Sequence, residues 1–424
     1  MPTTPDYAEK FAHSAPQTAF SQLDAFSREF IRRRAARHRF TFQELRQVCE
    51  AALDLQMWGD TPLHIWWAQQ DRENTARKEE LLRQLQDWLH TQRSKAKSYA
   101  TAMPHPTGHK LELKVEQSRK NIVGPCPVAS EETVCCNLYT IDSVQNCGMG
   151  CSYCTIQTFY GEQVVFDADL DAKLQALELD PERFYHIGTG QSSDSLMWGN
   201  QHDQLDALCN FAHQRDNVLL EFKTKSKNIA YFLRGTPPRN IVLSWSLNTP
   251  AVIANEEHFT ADLTQRLDAA RQVADRGIRV GFHFHPMVYY DGWQADYAQV
   301  AKEVMARFDP AEVLFISLGT MTFIKPVIKA IRQRAWSSKV LQMDLVPGAK
   351  GKLTYPDEIK RQLFGQLYQA LAPWHDEVFF YLCMEKANLW HETFGRVYAD
   401  NETFAADFAR HAKKKLTPLH TSGS

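Results

Sequence analysis

A chain of 424 residues with 44% hydrophobic content can bury one large core or two smaller ones. Its 48 basic and 50 acidic residues leave a net charge of -2, which excludes a whole-molecule attraction to nucleic acid or membrane and leaves that role to local clusters. No apolar run reaches membrane-spanning length, and the N-terminal MPTTPDYAEKFAHSAPQTAF lacks the charged start and apolar core of a secretory signal, so the expected location is cytoplasmic, with no membrane partner.

Taken in order, residues 1–115 read as a polar helical extension. Arg28-Glu-Phe-Ile-Arg-Arg-Arg-Ala-Ala-Arg-His-Arg39 is the strongest basic cluster in the chain; it suits either phosphate binding or a solvated helix face. Thr41 and Glu44 form a capping box for a helix through Leu45, Val48, Ala52 and Leu55 toward Trp58. Trp58, Trp66 and Trp67 suit a core better than base stacking. A second helix, Asp71 to about Lys97, places Leu81, Leu82, Leu85, Trp88 and Leu89 on one face.

Breakers at Pro104 to Gly108 and Gly124 to Pro127 mark the entry to the main domain, residues 116–385. Strands are expected at Val134–Ile141, Phe184–Gly188, Val218–Thr224, Ile241–Leu247, Val280–Val288 and Val313–Leu318. Helices are expected at Leu170–Leu179, Asp203–His213, Leu263–Asp275, Tyr297–Phe308 and Phe323–Arg334. The alternation, with strands apolar on both faces, predicts an α/β fold, either a barrel or an open doubly wound sheet. A further strand, Val378–Leu382, precedes a charged helical tail, residues 386–424.

Just after the first strand of this series comes Asn146-Cys-Gly-Met-Gly-Cys-Ser-Tyr-Cys154, with three of the nine cysteines spaced C-x3-C-x2-C. Three thiolates on one loop make a soft-ligand site. A closed zinc site or an ordinary ferredoxin cluster wants four ligands, so the count points to a centre with one position open for chemistry. Loops at strand carboxyl ends are where such folds place their sites. Of the remaining cysteines, Cys126, Cys135 and Cys136 lie before or within the first strand, and Cys49, Cys209 and Cys383 read as buried helix or strand residues. His283 and His285 alternate on one strand and share a side.

With its placement, the cysteine motif resembles the radical S-adenosylmethionine superfamily. From about Cys126 to the 390s the chain is similar to the spore photoproduct lyase family. The carrying segments are Cys151-Ser-Tyr-Cys-Thr-Ile-Gln157, Gln191-Ser-Ser-Asp194, Phe222-Lys-Thr-Lys225, Leu243-Ser-Trp-Ser-Leu-Asn248, the run from Arg266 to Ala274, Gly281 to Pro286, Gly292-Trp293 and Lys352-Leu-Thr-Tyr-Pro356.

The resemblance implies a partial (β/α)6 barrel behind an N-terminal helical extension. It implies a 4Fe-4S cluster on Cys147, Cys151 and Cys154, whose open iron takes S-adenosylmethionine, with Ser193, Lys225, Ser246 and His285 contacting that cofactor. One electron, from a donor of the flavodoxin or ferredoxin type, would then release a 5'-deoxyadenosyl radical. Tyr153 is the catalytic tyrosine retained beside the third cysteine, while the second such position is Thr155. Asp194 is placed to hold the Ser193 loop. Gln191 stands where the lyases carry the cysteine that returns a hydrogen to product, and an amide cannot take that step; by residue type Cys126, Cys135, Cys136 and Tyr289 are candidates to replace it, though a core role suits the cysteines better. The Gly348–Tyr355 hairpin matches the lyases' DNA-facing hairpin but keeps only two lysines and a tyrosine. DNA is therefore the first candidate partner, with RNA, a peptide or a small molecule as the second enzyme reading. A non-catalytic zinc or nucleic-acid-binding protein is the rival from another class.

Overall fold

The structure, a computed structural model, describes residues 6–71, 76–108, 111–118, 121–126, 130, 132–159 and 161–417. Among the described residues five helices precede the main sheet, in the stretch read from the sequence as an extension: α1 (Tyr7–Ser14), α2 (Ala25–His38), α3 (Phe42–Trp58), α4 (Leu63–Gln70) and α5 (Lys78–Ser94). The capping box is present, with Thr41 and Glu44 each satisfying the other's backbone N–H before α3 begins. The α3 helix stops at Gly59, whose φ of 65° suits a residue without a side chain. Trp58, Trp66 and Trp67 are buried, and Trp66 stacks on Trp88 at 5.4 Å, so these rings build a core. The helix expected from Asp71 covers Lys78–Ser94; residues 72–75 lie outside the described residues.

Basic α2 is partly neutralised on its own surface, since Arg32 and Arg33 both pair with Glu29 at 2.6 and 2.9 Å. The extension docks on the main domain through buried Asp54. This carboxylate receives Arg93 at 2.9 Å and, from α11 (Lys325–Arg334), Arg332 at 2.8 Å.

The main sheet has eight strands: β1 (Val123–Pro125), β2 (Tyr139–Ile141), β3 (Tyr185–Thr189), β4 (Val218–Thr224), β5 (Ile241–Ser246), β6 (Arg279–Met287), β7 (Val313–Thr320) and β8 (Phe379–Leu382). They lie in chain order across the sheet, β2 through β8 parallel and β1 antiparallel at the edge. The strands β2 to β7 are the expected six-unit series, so the α/β partial barrel expected from the sequence is present, with β8 as a seventh parallel strand. The helices α6 (Leu170–Gln175), α7 (Gln204–His213), α8 (Pro250–Glu256), α9 (Leu263–Asp275), α10 (Trp293–Arg307), α11 and α12 (Asp357–Ala370) fall between the strands. Then come α13 (Ala387–Phe394) and α14 (Asn401–Leu416). Among the described residues no helix is long and apolar enough to cross a membrane.

The first strand is shorter than expected. Asn137 adopts a φ of 52° and breaks the extended run before Tyr139. Val134 pairs instead with Glu385 beyond β8, so the segment before β2 crosses to the last strand of the sheet.

Because strand side chains alternate, one face of the sheet carries His186, Glu221, Lys223, Ser244, Ser246, His283, His285 and Ser317. Phe315, Phe379 and Tyr381 continue that face, and Phe404 and Phe408 of α14 pack against them. His186 stacks on Phe408 at 4.6 Å. The tail helix therefore fills this face near the strands' amino ends, leaving the carboxyl ends open.

Candidate active site

A cavity of about 750 Å³ occupies that open end. Its walls include all eight residues singled out from the sequence: Cys147, Cys151, Tyr153, Cys154, Ser193, Lys225, Ser246 and His285. Each comes from the loop after a strand or from a strand's last residues, so the parallel sheet brings together positions as far apart as 147 and 285.

The cysteine loop is tightly supported. Gly150 takes a φ of 60°, and a side chain there would meet the Phe259 ring at 2.8 Å. Ser152 N–H donates to the Glu256 carbonyl at 2.8 Å, and Phe259 N–H to the Met149 carbonyl at 3.1 Å. Tyr153 donates its hydroxyl to Glu257. Glu257 is paired in turn with Arg266 at 2.5 Å, both side chains having no solvent exposure. Arg266 spends its other donors on the carbonyls of Ala261 and Ser246, each at 2.8 Å, and on the Thr260 hydroxyl at 2.6 Å.

Behind this lies a second carboxylate. Glu256 accepts from Tyr99 of the extension at 2.8 Å, from the Ser338 hydroxyl at 2.7 Å and from Lys339 N–H at 2.8 Å. Its neighbour Asn255 accepts from Met103 N–H at 2.9 Å.

Asp194 holds the Ser193 loop as expected. Its carboxylate accepts from Lys225 N–H and Thr224 hydroxyl, both at 2.7 Å, and from the N–H groups of Leu196 and Met197 at 3.0 and 2.9 Å. Burial nevertheless lifts its pKa, against those four donors. Ser193 accepts from Trp198 Nε1 at 2.9 Å, which leaves its own O–H to donate into the cavity.

Burial pulls the Lys225 ammonium down, but Cys151 and Glu257 lift it above its ordinary range, and it sits 5.4 Å from the Tyr153 ring centroid. Burial pushes the Cys147 thiol up to about 12 and Cys151 higher still. Such thiols give up their protons when a metal binds them. Among the described residues no three His, Cys, Asp or Glu side chains already converge on one ion.

Beneath the cavity runs a buried polar chain. Glu221 receives His186 at 2.8 Å and His283 at 2.6 Å. Ser317 stands between His283, at 3.1 Å, and His285, at 2.7 Å. Gly319 makes room for the His285 ring, which a side chain there would meet at 2.9 Å. The two histidines do share a side, but only His285 reaches the cavity wall. Burial holds the His283 pKa down to about 4 from 6.5. The unfolded chain therefore takes up this proton below about pH 6.5, while the folded one resists until about pH 4. Stability should therefore fall over that interval as the pH drops. Thermal melts from pH 7 to 4 should fall accordingly, and His283→Gln should flatten the slope.

The sequence profile of spore photoproduct lyase matches residues 128–363, more than half of the chain. The chain belongs to the spore photoproduct lyase family. A relative described as spore photoproduct lyase from Clostridium acetobutylicum is 26% identical over 183 residues, covering 42% of this chain and 54% of that protein. One from a Geobacillus species is 27% identical over 243 residues, covering 53% and 70%. The match thus spans 54% to 70% of the length of these curated relatives. A solved structure described as spore photoproduct lyase complexed with dinucleoside spore photoproduct superimposes with a TM-score of 0.57 at 21% identity, over 68% of this chain and 89% of that one. That similarity is one of fold.

The site also contains what the sequence reading missed. Glu256, Glu257 and Arg266 were not singled out as site residues, although Arg266 opens one of the family-like segments. Cys383, read as a buried strand residue, lies beyond the end of β8 and lines the cavity. Cys126, Cys135, Cys136 and Tyr289 do not line it.

Proposed function

We propose that this chain is a radical S-adenosylmethionine enzyme acting on a lesion in DNA of the kind its relatives are named for. The observation that carries the reading is the convergence of three loop cysteines with Ser193, Lys225, Ser246 and His285 on one cavity. Bound there, a 4Fe-4S cluster and S-adenosylmethionine would supply a 5'-deoxyadenosyl radical on receipt of one electron from a flavodoxin- or ferredoxin-type donor.

The donor set fits. Cys147, Cys151 and Cys154 supply three soft ligands on one loop of the cavity wall, the thiolate chemistry an iron-sulfur cluster takes. Lys225 keeps its charge for a carboxylate. Ser193, Ser246 and His285 offer hydrogen bonds to a carboxylate or ribose. Tyr153, braced by Glu257, orients the loop that carries the third ligand. At the rim Phe159 is 65% exposed, an aromatic surface on which a base can stack.

A second substrate reading, RNA, a peptide or a small molecule, is favoured by Gln191 and by the sparse Gly348–Tyr355 hairpin. Anaerobic reconstitution tests both readings. The expected protein holds about four irons per chain and cleaves S-adenosylmethionine when reduced, with dinucleoside spore photoproduct raising the yield. Zinc without cleavage would overturn the enzyme reading. Cleavage stimulated only by other substrate pools would move the assignment to the second.

A further inference from the structure

A second, smaller cavity of about 210 Å³ adjoins the first and shares Gln191, Lys223, His285, Cys383 and Met384 with it. Four thiols line it: Cys126, Cys135, Cys136 and Cys383. They come from three separate stretches of chain. The Val134 and Glu385 pairing explains the meeting, because it lays the segment before β2 against the end of β8. Four of the nine cysteines thus surround one void that Glu221, Lys223, His283 and His285 also line, whereas a buried free cysteine normally serves as a small hydrophobe.

We propose that Cys383 is the hydrogen-atom donor of the main cavity. The inference rests on the radical reading above and adds the residue that ends the radical. Apart from the three loop cysteines, Cys383 is the one thiol among the described residues lining that cavity. An S–H bond is weaker than an alcohol O–H or aliphatic C–H bond, so a carbon radical held there takes its hydrogen from sulfur in preference to those groups. Tyr153, the phenol on the same wall, has its hydroxyl committed to Glu257. Cys383 is fixed by its own N–H, which donates to the Leu318 carbonyl at 2.8 Å.

A donor must hold its hydrogen, and here burial, followed by the neighbouring Cys135, keeps the Cys383 thiol protonated well above the usual range. In the step, a C–H bond forms as the S–H bond breaks homolytically, leaving a thiyl radical on Cys383. One electron from the low-potential carrier that drives the reaction, and one proton from solvent, restore the thiol.

The test needs no identified substrate. The reconstituted full chain is reduced with dithionite in D2O with S-adenosylmethionine alone, so that the radical is quenched by the nearest donor. Thiols exchange with solvent, so the wild-type protein should give 5'-deoxyadenosine carrying one deuterium at the 5' carbon. Cys383→Ser and Cys383→Ala, compared at equal iron content, should each lower that label at least about tenfold. The serine variant preserves the shape and offers an O–H too strong to donate.

Independently of loading, methylmercury chloride, whose affinity for sulfur displaces the proton of a neutral thiol, should label Cys383 in the iron-free chain along with Cys147 and Cys154, before the enclosed Cys49 and Cys209. Label unchanged in both variants, or absent from the wild type, overturns the Cys383 assignment while leaving the radical reading in place. So does a Cys383 as slow to react as Cys49. No 5'-deoxyadenosine from the wild type overturns both.

Discussion

Replacing Arg266 with methionine should destabilise the protein by about 3–5 kcal/mol, the cost of removing one partner from a buried ion pair. Against a total stability of about 5–15 kcal/mol, this is the largest single-residue effect expected here. The variant leaves the Glu257 carboxylate out of contact with water and facing the cysteine loop, and it strips donors from the Ser246 and Ala261 carbonyls. Urea unfolding should show a lower midpoint, and tryptophan fluorescence should report the change cooperatively. Pairing Arg266→Met with Glu257→Leu should recover part of the loss, because the uncompensated charge is then gone. A double variant as unstable as the sum of its parts would mean that the pair matters only for packing.

Asp194→Asn should leave the fold standing and weaken S-adenosylmethionine binding about 30- to 100-fold. Four donors converge on this carboxylate from both sides. An amide can satisfy only the donors that face its oxygen, and its NH2 must then confront the rest. An unsatisfied buried donor costs about 1–3 kcal/mol, more when the lost acceptor carried charge. The damage falls on Ser193 and Lys225, whose positions the carboxylate sets. Calorimetric titration of the reconstituted protein measures it directly; unchanged affinity would show that the loop holds itself.

Much of this was readable from the chain. Val218–Thr224 and Leu263–Asp275 stand as the sequence predicts, because a continuous apolar run and a capped 3.6-residue period each have one good structural solution. The three-cysteine loop drew attention through residue type and spacing, while His285 was singled out only through the family resemblance; both line the same cavity.

What escaped depended on contacts between distant segments. Arg266 sits in a helix whose composition reads as surface, and its partner lies nine residues earlier in a turn. Cys383 looked like filler because nothing local tells that the segment at Val134 lies alongside its strand. Val134 to Cys136 has the composition of a strand, yet Asn137 breaks the run and the pairing goes to Glu385.

Three consecutive residues at the end of α8 carry more than their own weight. Asn255 and Glu256 grip Met103 and Tyr99 of the extension, while Glu257 grips the cysteine loop through Tyr153. The two holds are separated by a single peptide bond. The segment that carries Tyr99 and Met103 and the loop that carries the third cysteine are thus anchored on neighbouring residues of one turn.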